Sequence, residues 1–511
     1  MSRINTNVQS LIAQRNLAAN NNGLSTSLER LSTGLRINRG ADDPAGLIAS
    51  ENLRAEKTAL TSAISNAERA QQVVNIAEGG LQEISGLLNS LEGLVTTTAN
   101  DAGLSSEEKA ANQLQVDSIL QTIDRVAGAT SFQGDRLLNG NLDYTATSVN
   151  GEVADFQVNG AKLAFGGTRD VEVLVTQSAQ VGGFILSFGG ANIDLGSAGE
   201  AFVIEIAGAK GSRELSFSSG TTVDSIAAAI NTFTDVTGVT ASSDGTGRLD
   251  LKSDDLGADE FVSVKVVDDG AIAAGDGVYA LSATDTNADD GNAATAFSAL
   301  TNALKDSGQD VEATINGITA VTKGTTASIN TDFLSVEVEL TSGGANPNAQ
   351  NLGAISAFTI EGGGADFQLA GFVDIAGRVS LGIGNVASRS IGRATDASDT
   401  VFNLADLGAG KSLNLEDGDL DTAQKSVRSA IKSISTLRGR LGSFQQNTIG
   451  ATIRSLGVSL ENTTAAESAI RDTDFAAESA ELTRSQILVS ASTSALSIAN
   501  SQPQNVLSLL G

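Results

Sequence analysis

Apolar positions change period twice along the chain. Behind Asp43 and Pro44, Leu53, Leu60, Ala67, Val74, Leu81, Leu88 and Val95 recur every seven residues, with Ala63, Ala70, Ala77, Ile84 and Leu91 between them. That is the a/d pattern of a coiled-coil seam, carried on a helix of roughly 80 Å at ~1.5 Å per residue. Asp43 offers a side-chain oxygen to free amides, and Pro44 has its φ already helical and no N–H to satisfy. So narrow a stripe needs a partner helix along its length. Leu420, Val427, Ile434 and Leu441, with Ala423, Ala430 and Leu437 between them, supply one, and Ile449, Ile453, Leu456 and Leu460 continue it.

Weaker helical stripes occupy both ends. Ile4, Val8 and Leu11 lie at helical spacing, and Leu24, Leu28, Leu31 and Leu35 follow in 4-3-4 steps. The opposite face is Asn, Gln, Ser and Arg, with no aromatic residue, so this helix is marginal in isolation. Gly34, Gly40 and Gly46 bracket the linker to the long helix. After a break expected at about Thr463–Asp474, Phe475, Leu482, Val489 and Leu496 recur every seven residues. Pro503 is expected to stop that helix, before an ending, NVLSLLG, that carries Leu507 and Leu510. A further helix is announced by Ser105 and Glu108, a capping box, ahead of Val116, Leu120, Ile123 and Ala127.

From about residue 141 to 410 the period falls to two. Phe202, Ile204 and Ile206 read as one strand, Leu215 and Phe217 as another, and Val262, Val264 and Val266 as a third. Val336, Val338 and Leu340 alternate with Glu337 and Glu339, as a half-buried strand does. Asp244-Gly245 and Asn316-Gly317 predict hairpin turns. Val223, Ile226, Ala227 and Ile230 mark one short helix. The expected fold is therefore α+β and multidomain. Paired amino- and carboxy-terminal segments form long antiparallel coiled-coil helices, and a β-rich insert projects from the middle of the chain. The expected divisions are 1–45 with 460–511, 46–140 with 415–459, and 141–414 in two subdomains, one including 200–270.

Composition narrows the function. The chain has no His, Cys or Trp and a single Met. Ser-His-Asp and Cys-His triads, the usual zinc sites, haem ligation and disulfides are excluded, and no cofactor or enzymatic activity is expected. The formal charge is −28, which repels nucleic acid. Counted by residue, −22 of it falls between positions 141 and 414. The amino terminus has no continuous apolar stretch of a secretory signal, and no run approaches the ~18 apolar residues of a membrane span.

The linker region RLSTGLRINRGADDPAGLIAS (Arg30–Ser50) and IDRVAGATSFQGDRLLNG (Ile123–Gly140) resemble the amino-terminal region of bacterial flagellin. GGGADFQL (Gly362–Leu369), AIKSISTLRGRLGSFQQN (Ala430–Asn447) and QNVLSLLG (Gln504–Gly511) resemble its later and carboxy-terminal regions. Residues 215–251 are similar to a repeat of flagellin and hook-associated outer domains. The resemblance implies a secreted, extracellular structural protein that polymerises into the flagellar filament for motility. It implies that the terminal pair forms the innermost filament layer, through Ile4, Val8, Leu11, Leu24, Leu28, Leu31, Leu35, Phe475, Leu482, Val489, Leu496, Leu507 and Leu510. The same residues would meet an export chaperone before passage through the flagellar type III apparatus. Further partners implied are hook-associated and cap proteins. The intrachain seam is expected at Leu53, Leu60, Val74, Leu81, Leu88, Val95, Leu420, Val427, Ile434 and Leu441. Alternatives are a hook–filament junction protein and, in another class, an adhesin displayed through the acidic insert.

Other motifs carry less. Asp417, Asp419 and Asp421 mimic the start of a calcium loop but lack its Gly and Glu, and read as acidic residues at a helix start. GGGADF reads as a turn. Gly79, Gly86 and Gly93 are seven apart opposite the seam, either a tolerated cost of ~1 kcal/mol each or a face for a neighbouring subunit. Family members sensed by the flagellin Toll-like receptor carry an Arg-containing surface. Here LNSLEGL (Leu88–Leu94) places Ser90 at that Arg, and Gln115 replaces an acidic residue. Recognition through Leu88, Ser90, Leu94 and Gln115 is expected to be weak or absent.

Overall fold

The computed structural model describes residues 6–100, 103–164, 167–196, 199–245, 247–272, 277–281, 295–341, 350–396 and 400–510. By its contacts the chain forms two units. One comprises Met1–Asn75, Phe367–Arg378 and Arg438–Gly511; the other comprises Ile76–Asp366 and Val379–Leu437.

Helix α1 spans Val8–Thr33 and is capped by the Asn7 side chain, which accepts from the Ser10 amide. It ends on Gly34, whose φ of 72° is left-handed and costs glycine nothing. Helix α2, Pro44–Thr98, starts where Asp43 and Pro44 predict, with Asp43 Oδ1 accepting from the Gly46 amide at 2.9 Å. Helix α3, Ser106–Ala129, carries the expected reciprocal capping box of Ser105 and Glu108. In the β-rich middle lie α4 (Val223–Asn231) and α5 (Thr234–Thr237). The chain closes with α6 (Leu420–Ser443), a π-helical segment Phe444–Ile449, α7 (Gly450–Arg471) and α8 (Phe475–Leu510).

The first unit holds the amino-terminal part of α2 against α7. Leu60, Ala63, Ala67, Ala70 and Val74 are buried on one side, and Leu441, Phe444 and Ile449 on the other. Lys57–Glu467 at 3.0 Å and Glu51–Arg471 at 2.8 Å set an antiparallel register. Leu53 lies at a half-buried position. In the second unit Leu81, Ile84, Leu88, Leu91 and Val95 are buried, as are Ala423, Val427, Ala430 and Ile434, while Leu420 is half-buried. Glu92 accepts there from Gln424 at 3.1 Å and from Arg428 at 3.0 Å. Helix α3 ties down the returning chain. Gln113, buried, donates to Leu407 O and accepts from the Leu415 amide, and Asp124 accepts from the Ser388 amide and hydroxyl.

The insert has two separate cores. One is built by the antiparallel strands 201–208, 211–218, 261–268 and 304–307 facing a five-stranded sheet, with Val223, Ile226, Ala227 and Ile230 of α4 buried against them. Phe188, Phe202 and Phe297 meet at its centre with ring centroids 5.1–5.5 Å apart. The other core lies between strands 144–147, 169–177, 312–315, 318–319 and 353–363 and strands 153–161, 321–323, 326–330 and 334–340. Val336, Val338 and Leu340 are inward there, as their alternation predicts. The Asn316-Gly317 turn has φ of 50° and 77°, the left-handed pair a two-residue hairpin needs.

Two helix limits differ from expectation. Helix α7 continues through Thr463 to Arg471, so the break is confined to Asp472–Asp474. Helix α8 does not stop at Pro503 but runs to Leu510; a helix can pass through a proline at the cost of one donor and of crowding against the carbonyl four residues back.

Candidate assembly surface

Helices α1 and α8 pack side by side and antiparallel in the first unit. Asn7 Nδ2 donates to Ala499 O at 2.8 Å, and Ser10 Oγ lies 2.7 Å from Asn500 Oδ1. Asn20 Nδ2 lies 2.7 Å from Ser492 Oγ, and Arg30 stands 3.7 Å from Glu478. The junctions beyond both helices are joined as well. The Arg36 amide donates to Arg471 O at 2.7 Å, and the Thr473 amide donates to Gly34 O at 3.0 Å. Arg36 also reaches Ile470 O at 2.7 Å.

The face that α1 turns to α8 is Ser10, Ala13, Leu17, Asn20, Leu24, Ser27 and Leu31, in regular 3-4 steps of buried and half-buried positions. The answering face of α8 is Glu478, Leu482, Ser485, Val489, Ser492, Leu496 and Ala499, in 4-3 steps. Half of this seam is small or polar. Leu17, Leu24, Leu31, Leu482, Val489 and Leu496 supply the rest, while a second set of large apolar side chains is left uncovered: Val8, Leu11, Leu28, Phe475, Ile487 and Ile498 are 50–63% exposed, with Ile12 and Leu488 also open. The pair thus has a thinner apolar seam than an ordinary coiled coil, with small or polar residues between its Leu and Val positions, and carries further apolar side chains outside it.

Of the terminal residues singled out from sequence, Leu24, Leu31, Leu35, Leu482, Val489 and Leu496 lie half-buried. Val8, Leu11, Leu28 and Phe475 lie on the exposed side, so one predicted stripe is two in space. Ile4 and the side chains of Leu507 and Leu510 lie outside the described residues. Leu17, Ile12, Ile487 and Ile498 were missed; the signal for Leu17 was its sevenfold spacing with Leu24 and Leu31, and for the other three the residual apolar count at positions off the heptad. Among the receptor positions, Ser90 and Gln115 are exposed, Leu94 is half-buried, and Leu88 is buried within the α2 seam. A β-carbon on Gly79, Gly86 or Gly93 would meet nothing within 4 Å, so that face of α2 is open in the single chain. Asp419 caps α6, accepting from the amides of Asp421 and Thr422 and from the Thr422 hydroxyl at 2.6 Å. Those bonds, the hydroxyl first, hold its carboxyl below the usual aspartate range.

An acidic cleft in the second unit, about 590 Å³, is lined by Asp155, Glu337, Glu339 and Arg393 beside Ser429 and Ser433 of α6. Arg393 pairs with Asp155 at 3.3 Å. No group of acidic residues among those described is arranged to hold a metal ion. No described helix is long and apolar enough to cross a membrane.

Residues 4–143 match the bacterial flagellin N-terminal helical region, 424–510 the C-terminal helical region, and 201–255 the flagellin hook IN motif. The chain is 30% identical over 521 residues to the B-type flagellin of Pseudomonas aeruginosa, covering 99% of both. It is 29% identical over 542 residues to the flagellin of Salmonella typhimurium, again covering 99% of both. Among solved structures, the flagellar junction protein FlgL of Legionella pneumophila aligns over 83% of this chain and 99% of its own, at 12% identity and a TM-score of 0.26. With helical ends and a β-rich middle that match along its whole length, the chain belongs to the bacterial flagellin family.

Proposed function

We propose that this chain is the subunit of the flagellar filament, an open helical homopolymer, and that it has no catalytic role. The observation that carries this reading is the terminal pair with its second, uncovered apolar set. Its seam, with Ser, Ala and Asn between the Leu and Val positions, gives little burial, and Val8, Leu11, Leu28, Phe475, Ile487 and Ile498 are bare. Chain entropy of ~1–2 kcal/mol per ordered residue is poorly offset until something covers that face. Copies of the same chain cover it at one stroke, and a head-to-tail contact that does not close grows without limit. Residues 1–45 with 460–511 then form the inner layer, 46–140 with 415–459 the layer around it, and 141–414 the exposed surface. Before assembly the same bare face suits an export chaperone that shields it during type III passage, since exposed apolar heptads otherwise associate. Hook-associated and cap proteins would meet the ends of the polymer.

Seeded polymerisation tests the proposal. Purified protein added to filament seeds elongates without limit, while protein lacking residues 1–40 stays monomeric and keeps its β-rich insert. Addition of a single layer and then arrest overturns it in favour of a junction protein. Glycan binding by the insert with no elongation overturns it in favour of an adhesin.

A further inference from the structure

The carboxy-terminal helices hold one residue more than their packing needs. Ile434, Leu437, Leu441 and Phe444 are buried in 3-4-3 steps, which makes Thr448 and Ala451 the next seam positions. The stripe instead resumes one residue late, at Ile449, and continues through Ile453, Leu456 and Leu460. The backbone absorbs the difference by winding Phe444–Ile449 as a π-helix, in which the Gly450 amide donates to Gln445 O. Five residues of α-helix would set Phe444 and Ile449 about 140° apart. A turn closed from i to i+5 brings both to one side, and both are buried.

The segment is well held in the single chain. Phe444 packs on Phe367, with ring centroids 6.1 Å apart, and Gln445 Nε2 donates to Asn75 Oδ1 at 2.9 Å. Yet nothing in the seam requires the extra residue. Removing one position between Phe444 and Ile449 would put Ile449 four residues after Phe444 and run the two stripes together in steps of three and four, a mean close to one α-helical turn, so that the apolar side chains stay on one face. Flanking glycines also leave room to turn, since a β-carbon on Gly439, Gly442 or Gly457 would meet nothing within 4 Å.

We propose that the π segment Phe444–Ile449 is a conformational device that stores one residue for use in assembly. Relaxed to α-helix, it rotates α7 so that Thr448, Ala451, Ser455 and Val458 turn inward in place of Ile449, Ile453, Leu456 and Leu460. Val458, 58% exposed in the single chain, then gains cover. The rotated state loses apolar burial in one chain and is stable only where neighbouring copies cover the side chains turned outward. The two arrangements are discrete, and contacts with other copies bias the choice between them. This inference rests on the filament reading.

Deletion of Gln446 tests it, with Gln446→Ala as the control that keeps chain length. The deletion variant is expected to give a folded monomer with wild-type helix content and a Tm equal to or above wild type. Its elongation rate from wild-type seeds is expected to fall at least tenfold, while Gln446→Ala behaves as wild type in both assays. A Tm lowered by several degrees overturns the inference, because the residue then belongs to the core. Elongation of the deletion variant at the wild-type rate overturns it too. Failure of the wild type itself to elongate sinks the filament reading instead, and the melting comparison still decides whether the residue is dispensable to the fold.

Discussion

Ile487→Ala separates the two faces of α8. Ile487 is 63% exposed in the single chain, on the side away from α1. Full burial of such a side chain is worth ~1.5–3 kcal/mol, so covering the exposed share contributes roughly 1–1.5 kcal/mol per subunit. At about 1.4 kcal/mol per factor of ten, the substitution is expected to raise the critical concentration for seeded polymerisation about five- to tenfold. The monomer should scarcely notice, since exposed positions change stability by only ~0.5 kcal/mol or less. Sedimentation of seeded samples over a range of protein concentrations gives the first quantity, and thermal melting by circular dichroism gives the second. Val489→Ala is the counterpart on the half-buried face, expected to weaken protection of α8 amides in the monomer itself. An unchanged critical concentration for Ile487→Ala, in a monomer that melts as wild type, would refute the assignment of the bare face to assembly.

Other outcomes follow from the same geometry. Ala67→Leu forces a larger side chain into a fully buried seam position, and overpacking of this kind lowers stability by ~1–3 kcal/mol, visible as a lower Tm. Gly86→Ala has free space in the single chain and should raise monomer stability by ~0.5–1 kcal/mol; loss of elongation despite that gain marks the glycine face of α2 as a contact between copies, and unchanged elongation marks it as solvent. Asp419→Ala removes the cap of α6 and costs ~1 kcal/mol at neutral pH. Because the folded carboxyl titrates below its unfolded value, that contribution is complete above about pH 4–5 and disappears as pH falls through the depressed folded value, so acid melts of the two proteins should converge. Ser90 and Gln115 are exposed; if they stand where the resemblance to receptor-sensed flagellins implies an Arg and an acidic residue, a reporter-cell titration with monomer should show weak or no response by the flagellin Toll-like receptor at nanomolar protein, and a nanomolar response refutes this.

The seam of α2 was legible because large residues occupy it at strict sevenfold spacing, and period alone then identifies the buried side. At the ends the same rule selects the wrong side in part. Leu24, Leu31, Leu482, Val489 and Leu496 do lie in the contact, but Leu28 and Val8 look like seam residues and are exposed, while Ser10, Ser27, Ser485 and Ser492 share the contact, so apolar pattern there mixes the seam with what a single chain leaves uncovered. The strands around Phe202, Val262 and Val336 were plain from alternation, whereas their division into two sheets per core depends on pairings between distant residues. The eight-residue step from Leu441 to Ile449 was present in the sequence but has meaning only once the backbone is seen to wind around it.

The backbone link between Gly34–Arg36 and Arg471–Thr473 fixes an order of events. Because the roots of α1 and α8 are held together, meeting of the two helices is a unimolecular closure, at an effective concentration in the millimolar range for short tethers. Separate molecules in dilute solution stand far below that, so the two ends of one chain meet each other before they meet those of another. Exchange of terminal helices between neighbouring molecules is thereby outpaced.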